Sequence, residues 1–326
     1  MREKSDTPSR ALVADIGGTN ARFAVVDLHT LELSGVRSFP NADHAGLAEA
    51  IRFYLKEVDE TITHAGLAVA APLLEDKVQL TNASWAFAQS TLGREAGLEG
   101  VHLLNDFEAL SLSLPYLTGE ELHQIGGRDP VEHAPKAVLG PGTGLGVAGL
   151  VWSPSGWIAL PSEGGHVTLG AETESELALV ERLRKGRGRL SVERALSGPG
   201  LTDLHQAVAA SHGHPAKTLA PLEVEQLALS GNDEIAEEAL DIFIAWLGRF
   251  AGDVALMVGA RGGVYLGGGI APKLLSRLIQ GDFREAFERK GRMKEFVAPI
   301  PVYVILAEFP ALKGAAVGLR GKLANA

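Results

Sequence analysis

Four carboxylates and one imidazole stand where they could do chemistry: Asp15, Asp106, Glu163, Glu193 and His166. Asn105-Asp106 ends a short apolar run, Val101 to Leu104, and side chains at strand ends of α/β folds project into clefts. An acid there, preceded by an amide, suits proton removal from a substrate hydroxyl. The same acid before Phe-Glu-Ala-Leu also reads as a helix cap. Ser162-Glu163-Gly164-Gly165-His166 combines a carboxylate and an imidazole with two flexible residues between them, a set that can receive and give hydrogen bonds to sugar hydroxyls. It is equally a polar turn, and one His with one Glu is too small a set for a metal. Glu193, in Ser191-Val192-Glu193-Arg194 before Ser197-Gly198-Pro199-Gly200, is either a further hydroxyl acceptor or a surface residue. His212-Gly213-His214 reads as loop.

Two glycine-rich turns supply the other half of a reaction. Ala11 to Ala14 leads to Asp15, then Gly17-Gly18-Thr19-Asn20, then a second apolar run, Phe23 to Val26. This is a hairpin pattern. Its glycines permit close backbone approach to a ligand, and its N–H groups can face an anion. Asp15 can hold a cation beside that anion, so magnesium-nucleotide phosphate suits the set; a plain hairpin suits it too. Residues 137–151 repeat the plan around Gly140, Gly142, Thr143 and Gly144, at an offset of 124 residues from Thr19 to Thr143. That offset is about one domain length and points to duplication. No Gly-Lys-Ser/Thr follows either turn, and Leu145 stands where a Rossmann fingerprint needs its third glycine. Gly267-Gly268-Gly269, after the strand Gly263 to Leu266, predicts a turn into a helix with Pro272 near its first position. Nucleotide could lie against such a helix N-terminus, though a tight turn explains the glycines as well.

The elements that must hold these residues alternate between strand and helix, which predicts an α/β protein. Helices are expected over Ala45 to Val58, Phe107 to Leu114, Ser175 to Leu183, 223–229, Ala239 to Gly259 and Leu312 to Leu323. Strands are expected over Ala65 to Ala71 and Pro301 to Leu306. Thr81 to Trp85 is turn-like, and the polar stretch 118–136 is a candidate hinge. With 326 residues, 46% hydrophobic and 21% charged, the chain suits two globular domains. A net charge of −10 argues against nucleic acid or an anionic membrane as partner. The basic run Arg182, Arg184, Lys185, Arg187, Arg189 is expected to be a solvated loop. No cysteine is present, so disulfides and thiolate chemistry are excluded. The segment MREKSDTPSR lacks a hydrophobic targeting core, and Asp241, Arg249 and Asp253 interrupt the most apolar stretch, so no membrane span is expected and a cytoplasmic location is. No G-x-S-x-G elbow supports a serine hydrolase.

In order along the chain, Asp15 to Asn20, Thr81-Asn82 with Trp85, Leu104 to Phe107, Gly140 to Gly146, Glu163 to His166, Leu196 to Gly200 and Gly263 to Gly269 together resemble the bacterial glucokinases. These are ATP-dependent hexose kinases of the actin-like ATPase superfamily. The resemblance runs from about residue 11 to the C-terminus. It implies two ribonuclease H-like α/β domains with an interdomain cleft: a smaller one, 10–117 completed by 307–326, and a larger one, 118–306. By position it implies Asp106 as catalytic base. Asn82, Asn105, Asp106, Glu163, His166 and Glu193 would contact glucose. ATP would lie against Asp15, Gly17, Gly18, Thr19, Asn20, Gly140, Gly142, Thr143, Gly144, Gly267, Gly268 and Gly269. Asp15 would stand near Mg2+, through water, and the chain would form a homodimer. Pro141 departs from the alanine common in relatives. The cysteine-rich zinc motif of the related repressor and sugar-kinase family is absent, as is an N-terminal DNA-binding helix pair. A kinase for another hexose or amino sugar and a non-catalytic sugar-responsive protein are the alternatives.

Overall fold

The structure is a computed structural model and describes residues 8–80, 85–215 and 217–325. Thirteen strands are present among them: β1 Arg10–Ile16, β2 Asn20–Asp27, β3 Leu33–Pro40, β4 His64–Val69, β5 Lys77–Gln79, β6 Ala86–Ala88, β7 Gly100–Asn105, β8 Leu122–Gln124, β9 Lys136–Pro141, β10 Leu145–Ser153, β11 Gly156–Ser162, β12 Val264–Leu266 and β13 Val302–Ile305. One sheet has the order β3-β2-β1-β4-β7 and another β11-β10-β9-β12-β13-β8. In the first, β1 pairs antiparallel with β2 and parallel with β4, which pairs parallel with β7. In the second, β9 pairs antiparallel with β10 and parallel with β12, which pairs parallel with β13. Each sheet thus opens on a hairpin and continues into two parallel strands, a repeat in topology that matches the repeat in sequence.

The chain divides into two compact units. Unit 1 comprises Met1–Thr118, Trp157–Pro161 and Ala307–Ala326; unit 2 comprises Gly119–Gly156 and Ser162–Leu306. In unit 1, β1 and β4 are apolar on both faces, and Leu12, Ala14, Ile16 and Leu67 bury against Tyr54 and Leu92 of flanking helices. The helix Pro310–Ala324 packs on the helix Asp106–Ser113 and on β1 and β4. In unit 2 the helix Glu234–Val258 buries Leu240, Phe243, Leu247, Phe250 and Val254 in one core with Leu139, Leu266 and Val304. It starts ahead of the apolar run because Asp233 caps it, accepting the Ala236 N–H at 3.0 Å. No described helix is long and apolar enough to cross a membrane.

Several expectations need correction. The helix expected at Gly267-Gly268-Gly269 starts late: residues 268–274 form irregular turns, and the short helix Leu275–Gln280 begins three residues after Pro272, which lies outside it. Gly268 at φ +75 turns the chain back so that Ile270 donates to the Pro141 carbonyl at 3.3 Å. The stretch 118–136 is not loop throughout, because β8 pairs with β13 as an edge strand. In the basic run, Arg182 and Arg184 belong to the helix Glu174–Arg184, Arg187 pairs with Asp203 at 2.8 Å, and Arg189 donates to the His166 carbonyl at 2.8 Å. His212 caps the C-terminus of the helix Gly198–Ser211 and meets Glu238 at 2.7 Å.

Candidate active site

In unit 1 the strand register assembles one group of residues. Ile16 lies opposite Val69, and Val69 opposite Asn105, so β1, β4 and β7 end in one row. Asp15 and the 17–20 turn stand at one end of that row and Asn105-Asp106 at the other. Asn105, not Asp106, is the N-cap of Asp106–Ser113. Its Oδ1 accepts the N–H groups of Phe107 at 3.0 Å and Glu108 at 3.4 Å, while Glu108 returns to the Asn105 N–H, closing a capping box. The cap reading of Asp106 is thereby corrected: Asp106 is the first helical residue, and its Oδ1 accepts the Phe107 N–H at 2.9 Å.

Burial, and then the charge of nearby Asp15, push the Asp106 carboxyl from 3.8 up to about 6, against the hydrogen bonds from the Phe107 and Asp106 backbone and the Asn105 side chain. Asp15 is also raised. Burial outweighs Arg22, its cross-strand partner on β2, whose Nη1 lies 3.3 Å from Asp15 Oδ2. A cation bound beside Asp15 would oppose the same burial penalty.

The turn that follows Asp15 is closed by the Gly17 N–H donating to the Asn20 carbonyl at 3.0 Å. Among the described residues, the N–H groups of Gly18 and Thr19 find no acceptor within the chain, which leaves them for an anion. Asn82 lies outside the described residues.

Unit 2 assembles a second group. The Gly142 N–H closes the second turn onto the Gly144 carbonyl at 2.8 Å, and the amides of Thr143 and Gly144 find no acceptor among the described residues. Parallel register sets Leu139 opposite Leu266, which lays Gly140 directly on the Gly267-Gly268 backbone. A Cβ on Gly140 would sit 2.5 Å from the Gly267 carbonyl carbon, so glycine is required for this approach.

Glu193 belongs to the short helix Val192–Ala195, and its Oε2 accepts the Leu145 N–H at 3.0 Å, immediately after the turn. Sequence reasoning weighed it as a surface residue, yet its side chain is 27% exposed. Glu163 precedes and His166 ends a single 3-10 turn, Gly164–His166. The glycines between them serve close packing rather than flexibility: a Cβ on Gly165 would meet the Leu145 carbonyl oxygen at 2.1 Å. His166 stands between carboxylates, with Nδ1 3.8 Å from Glu193 Oε1 and Nε2 3.8 Å from Glu163 Oε2. These gaps are too long for hydrogen bonds and leave all four atoms available to ligand hydroxyls.

Each unit therefore presents an amide-bearing turn together with polar side chains, Asp15, Asn105 and Asp106 in unit 1 and Glu163, His166 and Glu193 in unit 2. No group of three or more potential metal ligands occurs among the described residues. That donor set fits Mg2+, which keeps several waters and is held by one carboxylate plus phosphate oxygens rather than by a protein cage. Sequence patterns assign no role to Arg22 or Glu108, and Arg189 reads only as part of a solvated basic run. Arg22 was legible, since a hairpin turning at 17–20 sets it opposite Asp15; Arg189 had no local signal.

Comparison with known proteins agrees with this chemistry. The family model described as Glucokinase matches residues 12–322. The glucokinase of Neisseria meningitidis (serogroup B, strain MC58) is 45% identical over 328 residues, spanning 98% of this chain and 99% of its own length. A glucokinase crystal structure from an Antarctic psychrotroph superposes with a TM-score of 0.86 at 39% identity, covering 96% of this chain and 99% of that one. The ROK family glucokinase of Streptomyces griseus, solved in complex with glucose and AMPPNP, has a TM-score of 0.65 at 18% identity, covering 94% and 98%; that likeness is one of fold. A family match over residues 12–322 and 45% identity over 98% of the chain decide the matter: this chain belongs to the glucokinase family.

Proposed function

We propose that the protein transfers the γ-phosphoryl group of ATP to the terminal hydroxyl of D-glucose, giving glucose 6-phosphate and ADP. The observation that carries this reading is Asp106: an acid relieved of capping by Asn105 and raised toward neutrality, on the same sheet end as a turn with free amides. Its carboxylate takes the proton of the attacking hydroxyl. Asn105 orients that carboxylate, and Glu163, His166 and Glu193 hold the ring hydroxyls. Free amides of the two turns bind phosphate oxygens, which is where most of the stabilisation of the transferring group arises. Magnesium, when bound, supplies further positive charge there, with Asp15 as the nearby carboxylate. Gly267 to Gly269, against Gly140, form the adenosine side. We extend the resemblance to the two ribonuclease H-like domains of the actin-like ATPases with a cleft for both substrates, and to a cytoplasmic homodimer acting in glycolysis. The S. griseus complex with glucose and AMPPNP supports the choice of substrates.

A coupled phosphorylation assay over several hexoses with ATP and Mg2+ tests the proposal. Glucose should exceed galactose and fructose by roughly tenfold or more in kcat/KM, because an inverted or missing hydroxyl leaves a buried polar group unpaired. Equal use of the three sugars would show that Glu163, His166 and Glu193 do not read the ring.

The raised Asp106 carboxyl also sets a pH dependence. A base works only when ionised, so activity should be lost as pH falls through the Asp106 pKa, near 6, and level off above it. Log kcat/KM for glucose, measured from pH 5 to 8, should rise with unit slope on the acid side and flatten near pH 6. A profile still flat at pH 5 would remove Asp106 from the role.

A further inference from the structure

Asn41 follows β3, is 5% exposed, and has no part in the reaction described above. Its backbone N–H donates to the Thr19 carbonyl at 2.8 Å, and its Nδ2 donates to the Gly17 carbonyl at 2.9 Å. One residue thus holds both sides of the first turn. A trans peptide is planar, with C=O and N–H pointing in opposite directions. Holding the Gly17 carbonyl therefore aims the Gly18 N–H away from Asn41, and holding the Thr19 carbonyl does the same for the Asn20 N–H.

The second turn has a matching tie of different origin. There the Gly142 carbonyl accepts the N–H of Gly198, first residue of the helix Gly198–Ser211, at 2.8 Å, and the peptide so held carries the Thr143 N–H. In the first turn the Gly17 carbonyl is held instead by a side-chain amide, while the backbone N–H of Asn41, first residue of the 3-10 turn Asn41–Asp43, holds Thr19. The orientation of that amide is set, since exchanging its oxygen and nitrogen would face two acceptors at Gly17. The remaining Oδ1 is buried with no partner among the described residues. An apolar side chain of similar size would bury no such oxygen, and among the described residues the amide serves the turn through the bond that Nδ2 makes.

We infer that Asn41 is a positioning residue that presets the first turn to receive the phosphates of the nucleotide. This rests on the phosphate-binding reading of the 17–20 turn. Asn41→Leu removes the Gly17 bond and the orphaned oxygen together, so the two effects on stability oppose each other. The melting temperature should shift by less than about 4 °C. KM for ATP should rise about tenfold or more, while KM for glucose stays within about twofold of wild type. A merely structural residue would not separate the two substrates.

Asn41→Ala, which removes the same bond without adding volume, is measured in parallel in case the leucine variant does not fold. Amide hydrogen exchange separates this inference from the reading beneath it. In wild type, AMPPNP with Mg2+ should slow exchange across 17–20, and without nucleotide either variant should exchange there faster than wild type. If nucleotide protects the wild-type segment but the variants keep wild-type KM for ATP, the role assigned to Asn41 is wrong. If nucleotide leaves the wild-type segment unprotected, the phosphate-binding reading fails and takes this inference with it.

Discussion

Asp106→Asn should lower kcat by at least ~10²-fold and change KM for glucose far less, since general-base help typically supplies ~10²–10⁴-fold. The substitution is nearly isosteric, and the local structure tolerates it. The helix Asp106–Ser113 is capped by Asn105 and closed by Glu108, so it does not need the Asp106 charge to start. The amide oxygen can still accept the Phe107 N–H that Asp106 Oδ1 accepts. Burial, the main cause of the raised Asp106 pKa, penalises the carboxylate but not a neutral amide, and the repulsion from Asp15 also disappears. The variant should therefore melt at or above the wild-type temperature at pH 7.5. The acid limb of the pH profile should disappear with it. Loss of turnover combined with unchanged or raised stability separates a catalytic group from a structural one. A variant that keeps most of its turnover would leave Asp106 as no more than the first residue of a helix.

Much of this was legible because the relevant signals are local. Asp15 to Asn20 reads as strand, turn and strand in any context, since the apolar runs and the Gly-Gly-Thr-Asn turn lie within a few residues of each other. The second hairpin reads the same way, and the repeat in sequence has its counterpart in the order of the two sheets. Asn105-Asp106 reads as the end of a strand, and the cap weighed as an alternative for Asp106 falls to Asn105, because Asn and Asp are about equally good caps and only backbone geometry chooses between adjacent ones. Glu193 was undervalued for a different reason. Its importance lies in a bond to Leu145, which is 48 residues away, and no window along the chain contains both. The glycines of Glu163 to His166 looked like freedom of motion, whereas the requirement is a backbone approach to β10 that only a three-dimensional contact defines. The helix missed after Ser197 was in fact signposted by a Ser cap with Pro199 in its first turn.

The bond between Glu193 and Leu145 makes a second large effect predictable, and one that touches both substrates. Glu193 Oε2 holds the N–H that ends the second proposed phosphate turn, while Oε1 faces His166 on the proposed sugar side. Glu193→Ala removes both functions. Charge-assisted bonds to hydroxyls are worth about 1.5–3 kcal/mol each, and leaving the Leu145 N–H unpaired costs about 1–3 kcal/mol. Because every 1.36 kcal/mol is tenfold, kcat/KM for glucose should fall by about 10²–10⁴-fold. KM for ATP should rise as well, because the turn bearing the Thr143 and Gly144 amides keeps its tie to Gly198 but loses the one at Leu145. Two controls divide the effect. Glu163→Ala removes a proposed sugar contact with no tie to the turn, so it should weaken glucose use and leave KM for ATP near wild type. Glu193→Gln keeps an oxygen for the Leu145 N–H but not the charge, so it should also spare ATP while weakening glucose use by about tenfold, one lost charge-assisted bond. Steady-state kinetics with each substrate varied in turn measure all three. If Glu193→Ala proved no worse for ATP than Glu163→Ala, the carboxylate would serve the sugar alone, and the Leu145 bond would be packing without consequence for the nucleotide.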